Sequence, residues 1–176
     1  MDAYINLAKE AIKEYLLHGK TIEPSKDLPA EMLNTQAGVF VCFKNKGELR
    51  GCIGTYMPTQ ENVAEEIINS TISAATQDPR FLPVSAKELR DVTVSIDVLS
   101  TPELVAEKDI KKLNPKVHGV MVKTEDGFAS GLLLPNLEGV NTVEKQINIA
   151  CQKAGIDPKA DKFVVYKFTV SRHEEK

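Results

Sequence analysis

The sequence predicts an α+β fold with a mainly antiparallel sheet and flanking helices. Two hairpin signals, Asn45-Lys46-Gly47 and Glu125-Asp126-Gly127, each separate runs rich in β-branched and aromatic residues. Helical patterns lie between the strand runs, but without the regular strand–helix alternation of a parallel α/β protein. An α/β fold is the alternative.

The first half of the chain supplies one helix and one hairpin. Apolar residues recur at helical spacing over residues 2–18, and Gly19 suits the left-handed residue that ends a helix. Residues 20–36 lack periodicity and predict a loop. Residues 37–45 and 48–55 predict two antiparallel strands.

The sequence allows two registers of this hairpin. A two-residue turn at Lys46-Gly47 sets Phe43 opposite Arg50. A three-residue loop with Gly47 left-handed sets Phe43 opposite Leu49 and Cys42 opposite Arg50. We favour the second, because it pairs apolar faces across the strands.

The second half follows from similar signals. A helix is predicted from a cap at Thr59 to about Gln77, with Glu66 outward or near its N-terminus, and Asp78-Pro79 stops it. Residues 101–116 are irregular. The other predicted elements are a short helix opened by the Ser85–Glu88 capping box, strands 91–99, 117–124, 128–134 and 162–170, and a helix over 142–154.

Composition narrows the classes of function. The 176 residues fit one domain, or one domain with a small appended lobe, and 42 % hydrophobic residues suffice for a core. The net charge is −3 and the lysines are dispersed, so we expect no nucleic-acid partner. No apolar run approaches the roughly 18 residues of a membrane span, and the N-terminus is unlike a signal peptide. We therefore expect no membrane association and a cytoplasmic location.

The three cysteines, Cys42, Cys52 and Cys151, form no C-x-x-C pair. Their odd number argues against a disulfide framework, and reduced thiols fit a cytoplasmic protein. The three histidines are far apart and show no metal-ligand spacing, so no metal site is predicted.

The segment Leu49-Arg50-Gly51-Cys52-Ile53-Gly54 is the main candidate for chemistry. In a strand, Arg50 and Cys52 share one face, and a guanidinium beside a thiol favours the reactive thiolate. Gly51 and Gly54 leave room for a ligand or another backbone. Cys52 is thus a candidate nucleophile or redox thiol, and the alternative is a packed strand thiol.

Two further side chains could join this site. His118 is a weak candidate for a general base, and the alternative is a histidine at a strand edge. Arg80 and Arg50 could together bind a carboxylate or phosphate. Alternatively, Arg80 pairs with Asp78 and Arg50 with an acidic neighbour.

Three motifs occur in order: G-E-L-R-G-C-I-G-T-Y-M-P at 47–58, D-P-R-F-x-P-V at 78–84, and G-L-L-L-P at 131–135. Together they resemble the AMMECR domain family, and the likeness extends from the first helix to Arg172. The sequence therefore predicts a single domain over residues 1–172 and a frayed tail at 173–176.

The resemblance implies a larger and a smaller lobe, with the L-R-G-C-I-G segment near the cleft between them. It also implies association with a Memo-like protein or a radical S-adenosylmethionine protein, and it names no reaction or cofactor. Two functions follow as hypotheses. One is an enzyme or small-anion-binding protein that uses Arg50, Cys52 and Arg80, and the other is a non-catalytic interaction module.

Overall fold

The fold is α+β, as predicted, and is described by a computed structural model over residues 2–175. The chain divides into two compact units. The larger unit holds residues up to Leu99 together with those from Ser171, and the smaller unit is Ser100–Val170. Each unit has a four-stranded sheet and its own hydrophobic core.

The larger unit packs helices on one face of its sheet. Its elements are α1 (Ala3–His18), α2 (Ala30–Asn34), β1 (Val39–Asn45), β2 (Glu48–Gly54), α3 (Val63–Thr76), a 3-10 helix (Ala86–Arg90), β3 (Val92–Leu99) and β8 (Val170–Glu174). The strand order is β2-β1-β3-β8, and the pairs β1/β2 and β1/β3 are antiparallel. The short helix α2 lies in the stretch predicted as loop.

Helix α1 begins and ends as its sequence predicts. The Asp2 carboxylate accepts hydrogen bonds from two backbone N–H groups of the first turn, and Gly19 adopts the left-handed conformation with φ +66°. Its apolar stripe packs into the core with α3 and the inner face of the sheet, which includes Val39, Val41 and Phe43.

Helix α3 starts later than predicted. Asn62 is its N-cap, and the Asn62 side chain accepts a hydrogen bond from the Glu65 N–H. Thr59 instead bonds the carboxylate of Glu66. A capping residue cannot be located from its type alone when several suitable residues precede one helix.

The register of the first hairpin differs from both predicted alternatives. Lys46 and Gly47 form a two-residue turn with φ of +50° and +86°, which matches the positive φ that such tight hairpin turns require. Arg50 is then an extra residue in a β-bulge, and beyond it the register shifts by one. The shift places Cys42 directly opposite Cys52.

The predicted strand 162–170 is two strands. β7 (Phe163–Phe168) belongs to the sheet of the smaller unit. β8 starts after Thr169 and joins the sheet of the larger unit. His173 and Glu174, the first two residues of the tail predicted to fray, instead lie in β8, and Lys176 lies outside the described residues. The ring of His173 stacks on Tyr4 with centroids 3.9 Å apart.

A residue of β8, Arg172, forms an ion pair with Asp97 of the neighbouring strand β3. The guanidinium of Arg172 donates two hydrogen bonds of 2.7 Å each to the carboxylate of Asp97, a residue of β3 that is only 6 % exposed. A buried carboxylate requires such a partner.

Besides β7, the smaller unit contains β4 (Glu103–Val105), a 3-10 helix (Glu107–Lys112), β5 (Gly119–Thr124), β6 (Ser130–Leu133) and α4 (Val143–Ala154). Its sheet is fully antiparallel, in the order β4-β7-β5-β6, and α4 packs on β5 and β6. Thr142 caps α4 and Gly155 ends it in the left-handed conformation.

Ser100, the first residue of the smaller unit, lies beside Thr169, the last residue but one. The Ser100 N–H donates to the Thr169 carbonyl at 2.9 Å, and the Thr169 N–H donates to the Ser100 hydroxyl at 3.0 Å. The segment therefore leaves and rejoins the rest of the chain at neighbouring positions.

Candidate functional site

The free edge of β2 is occupied by two charged side chains. β2 is the outermost strand of its sheet, so outward backbone groups need partners from elsewhere. The Cys52 N–H donates to the Asp78 carboxylate at 2.9 Å, and the Arg80 Nη2 donates to the Cys52 carbonyl at 3.3 Å. Asp78 and Arg80 thus take the place of a neighbouring strand at this residue.

Asp78 and Arg80 also bind each other. The Asp78 carboxylate accepts hydrogen bonds from the Arg80 Nε at 2.9 Å and Nη2 at 2.7 Å, and from the Arg80 backbone N–H at 3.1 Å. Asp78 is 5 % exposed. The Arg80 guanidinium, with the N–H groups of Cys52 and Arg80, holds the pKa of the Asp78 carboxyl well below its ordinary value, and burial opposes this shift only in part.

Arg50 is bound to the segment that follows. Its Nε and Nη2 donate to the two carboxylate oxygens of Glu88 at 2.7 and 3.2 Å. Its Nη1 donates to the Leu82 carbonyl at 2.9 Å, and Nη2 also to the Pro83 carbonyl at 3.3 Å. The β-bulge directs the Arg50 side chain toward residues 82–88, and its guanidinium nitrogens bind acceptors in that segment.

Glu88 serves two purposes. Besides binding Arg50, it accepts hydrogen bonds from the Ser85 N–H and hydroxyl, which completes the predicted capping box. The Arg50 guanidinium first, and then the Ser85 N–H, lower the pKa of Glu88 to about 2. The contacts of Arg50 and Arg80 are therefore those of the alternative in which each pairs with an acidic neighbour.

Cys42 and Cys52 form a disulfide bond with a Cα–Cα distance of 4.1 Å. The prediction of reduced, unpaired thiols is wrong for these two residues, because the β-bulge at Arg50 brings them opposite each other. The prediction of an Arg50-activated thiolate assumed a free thiol beside a free guanidinium. In the structure, sulfur is bonded to sulfur and Arg50 is bonded to Glu88.

The two glycines of the segment accommodate the protein's own chain. A Cβ atom on Gly51 would lie 2.2 Å from the Ala74 carbonyl oxygen of α3, and one on Gly54 would lie 2.1 Å from the Val39 carbonyl oxygen. Of the two predicted reasons for these glycines, the close approach of another backbone is the one that the contacts support.

The loop after β2 is organised by Glu66, a residue whose role the sequence analysis missed. Glu66 is 1 % exposed, and its carboxylate accepts hydrogen bonds from the Thr55 hydroxyl, the Thr59 N–H and hydroxyl, and the Gln60 N–H. The sequence signal for this role is the group of threonine and glutamine residues just before the first turn of α3, which contains Glu65 and Glu66. Glutamate on a helix ordinarily predicts an exposed position.

His118, the remaining candidate, lies in the smaller unit, as does the third cysteine, Cys151. The ring of His118 accepts a hydrogen bond from the Asn114 N–H at its Nδ1, and its carbonyl accepts one from the Gln146 side chain. Cys151 is fully buried, and burial raises the pKa of its thiol. Within residues 2–175, no cluster of three or more histidine, cysteine or acidic side chains could hold a metal ion.

The sequence model of the AMMECR1 family matches residues 5–173, which include every residue of this site. The chain belongs to the AMMECR1 family. A Thermotoga maritima protein is 50 % identical over 172 residues, which cover 97 % of each chain. The crystal structure of an uncharacterised Pyrococcus horikoshii protein superposes on this AMMECR1 domain with a TM-score of 0.88, at 37 % identity over 98 % of this chain and 90 % of that one.

One relative is much longer than this chain. A Clostridium acetobutylicum protein is 48 % identical over 175 residues, which are 99 % of this chain and only 36 % of that protein. The AMMECR1 domain thus occurs there joined to further sequence. In the part of this chain that the structure describes, no helix has the length and apolar character needed to cross a membrane.

Proposed function

We propose that this AMMECR1 domain is a non-catalytic docking module whose contact surface is the free edge of β2 and its two adjoining loops. These edge loops are residues 55–60, which Glu66 holds, and residues 78–85, which Asp78, Arg80 and Arg50 hold. In this proposal the L-R-G-C-I-G segment and the D-P-R segment keep the edge loops in one conformation.

One observation carries the proposal: the charged side chains near Cys52 are bound to the protein itself, whereas apolar side chains of the edge loops face solvent. Leu82 is 84 % exposed although Arg50 fixes its carbonyl group, and Tyr56 and Met57 are 41 % and 48 % exposed. Tyrosine and methionine are enriched in protein interfaces, aromatic residues often dominate the binding energy there, and a fixed backbone lowers the entropic cost of association.

The partner we propose is the Memo-like protein or the radical S-adenosylmethionine protein that the family association suggests. The longer Clostridium protein supports a role beside other protein modules. The enzymatic and anion-binding alternatives have less support, because Arg50 meets a protein acceptor at each of its three nitrogens. The cytoplasmic location stays a prediction.

The test measures binding of the full chain to each of these two proteins from the same organism, by biolayer interferometry. We expect Leu82→Ser to weaken binding at least tenfold, because it removes an apolar anchor and leaves the backbone contacts in place. Phe128→Ser is the matched control. Phe128 is 92 % exposed in the β5–β6 hairpin, and its replacement should change the affinity less than twofold.

Binding by the wild type that is unaffected by Leu82→Ser contradicts the proposed surface. If neither protein binds the wild type, the proposed partners are wrong. Circular dichroism of both variants confirms that each keeps its fold.

A further inference from the structure

We propose that Cys42 and Cys52 are a reversible dithiol–disulfide pair that exchanges electrons with a thiol of the glutathione class or with a protein dithiol. This activity is independent of the docking role.

The two cysteines stay adjacent in either redox state. The N–H and carbonyl of Cys52 bind Asp78 and Arg80, on the side away from β1, so Cys42 and Cys52 face each other as a pair that exchanges no backbone hydrogen bonds. Facing residues of this kind have the closer Cα atoms of an antiparallel ladder, and here the distance is 4.1 Å. The strand register fixes this distance without help from the sulfur–sulfur bond.

The fold has other means of holding these strands. The β1/β2 ladder extends from Phe40–Gly54 to Asn45–Glu48 on either side of the pair, and β3 pairs with the other edge of β1. The helix-facing side of the same sheet contributes to a core that, among residues 2–175, contains twenty buried hydrophobic residues. The bond joins residues only ten apart in a hairpin that is already closed, so its opening leaves the architecture in place.

Exposure distinguishes the pair from the third cysteine. Cys42 and Cys52 are partly exposed, and they alternate with Val41 and Phe43, which face the helices. Cys151 is fully buried on α4. Access and thiolate formation control thiol exchange, so external thiols should reach the pair and spare Cys151.

The exchange balances as two successive substitutions. A donor thiolate attacks one Sγ, the Sγ–Sγ bond breaks as a mixed disulfide forms, and the other Sγ leaves as a thiolate that takes up a proton. A second donor thiolate attacks the donor sulfur of the mixed disulfide and releases the second cysteine. Two electrons and two protons pass from two donor thiols to the pair, and the donor leaves as its disulfide.

The experiment equilibrates the folded Cys151→Ser chain in buffers of reduced and oxidised glutathione, then traps free thiols by alkylation and counts the adducts by mass spectrometry. We expect the chain to pass from no adduct to two as the buffer becomes more reducing, with no change in far-UV circular dichroism. Wild type run alongside should give the same two sites by peptide mapping, with Cys151 unlabelled until the chain is unfolded.

Single-cysteine variants give the matched comparison. With oxidised glutathione, Cys42→Ser should accumulate a glutathione adduct on Cys52, and Cys52→Ser should accumulate one on Cys42. The chain with both cysteines should not, because the neighbouring thiol displaces the glutathione. Phenylarsine oxide, which bridges two adjacent thiols, should bind the reduced pair and neither single variant.

Three results would overturn the proposal. The first is a bond that opens only when the chain is unfolded. The second is loss of native circular dichroism upon reduction, which would make the bond a structural requirement. The third is accumulation of mixed disulfides in the chain that has both cysteines.

Discussion

Replacement of Asp78 by asparagine tests whether its carboxylate is what holds the free edge of β2. The carboxylate is nearly buried and accepts four hydrogen bonds, three from Arg80 and one from the Cys52 N–H. A hydrogen bond to a charged group contributes about 1.5–3 kcal/mol. The Arg80 side chain is 55 % exposed and can return to water, so we expect a net loss of about 2 kcal/mol at pH 7.

The pH dependence of this loss provides a second measure. Folding lowers the pKa of Asp78, so its contribution is complete above the unfolded pKa of about 3.9 and is lost as the pH falls toward the folded value. At pH 3 the unfolded chain already binds most of a proton that the native chain does not. The difference between wild type and Asp78→Asn should therefore shrink by about 1 kcal/mol between pH 7 and pH 3.

Urea unfolding monitored by tyrosine fluorescence suits this test. The chain has four tyrosines and no tryptophan, and three of the four, Tyr4, Tyr15 and Tyr56, lie in the larger unit. Asp91→Asn is the control, since Asp91 is exposed and its replacement should cost less than about 0.5 kcal/mol. A loss for Asp78→Asn no larger than the control, or one equal at both pH values, would refute the assigned role.

Two further substitutions test how the sheet is packed. Gly51→Ala should destabilise the larger unit in urea unfolding by about 2–3 kcal/mol, because its Cβ would meet the Ala74 carbonyl oxygen. The control Gly47→Ala lies in open space but has a positive φ, so it should cost about 1 kcal/mol. Similar losses for the two variants would contradict the close contact at Gly51. Arg172→Ala should cost about 3 kcal/mol by leaving Asp97 buried without its partner, and adding Asp97→Asn should restore part of this; a double variant less stable than Arg172→Ala would count against a charge effect.

Helices α1 and α4 and the 3-10 helix Ala86–Arg90 could be predicted from the sequence because their signals are local. Asp2 and Gly19 stand at the two ends of α1, Gly155 ends α4, and Ser85 with Glu88 forms a capping box three residues apart. In each case the residue that determines the boundary lies within a turn of it, so periodicity and residue type are sufficient.

The register of the hairpin could not be predicted, because the residue that changes it is held by distant partners. Arg50 becomes the extra residue of a bulge while its guanidinium binds Glu88 and the carbonyl of Leu82, more than thirty positions away. Apolar pairing across the strands was the only register signal available locally. Because the predicted registers are wrong by one or two residues, neither of them places Cys42 opposite Cys52.

Charged side chains were misjudged for the same reason. Glu66 lies in the first turn of α3 beside the partly exposed Glu65, and only the fold shows that Glu66 accepts hydrogen bonds from Thr55, Thr59 and Gln60. The sequence indicates Arg50 and Arg80 as candidates for anion binding, and in the structure both bind acceptors of the protein itself. Whether an arginine binds a ligand or the protein depends on acceptors that the tertiary structure supplies.

The hydrogen bonds between Ser100 and Thr169 make residues 100–170 an insert with adjoining ends. Because the two ends of this segment are neighbours, the larger unit can accept a longer, shorter or unrelated segment in its place while its own strands keep their geometry. Evolutionary divergence, or replacement of the segment in the laboratory, can therefore change residues 100–170 while β3 and β8 keep their positions in the sheet of the larger unit.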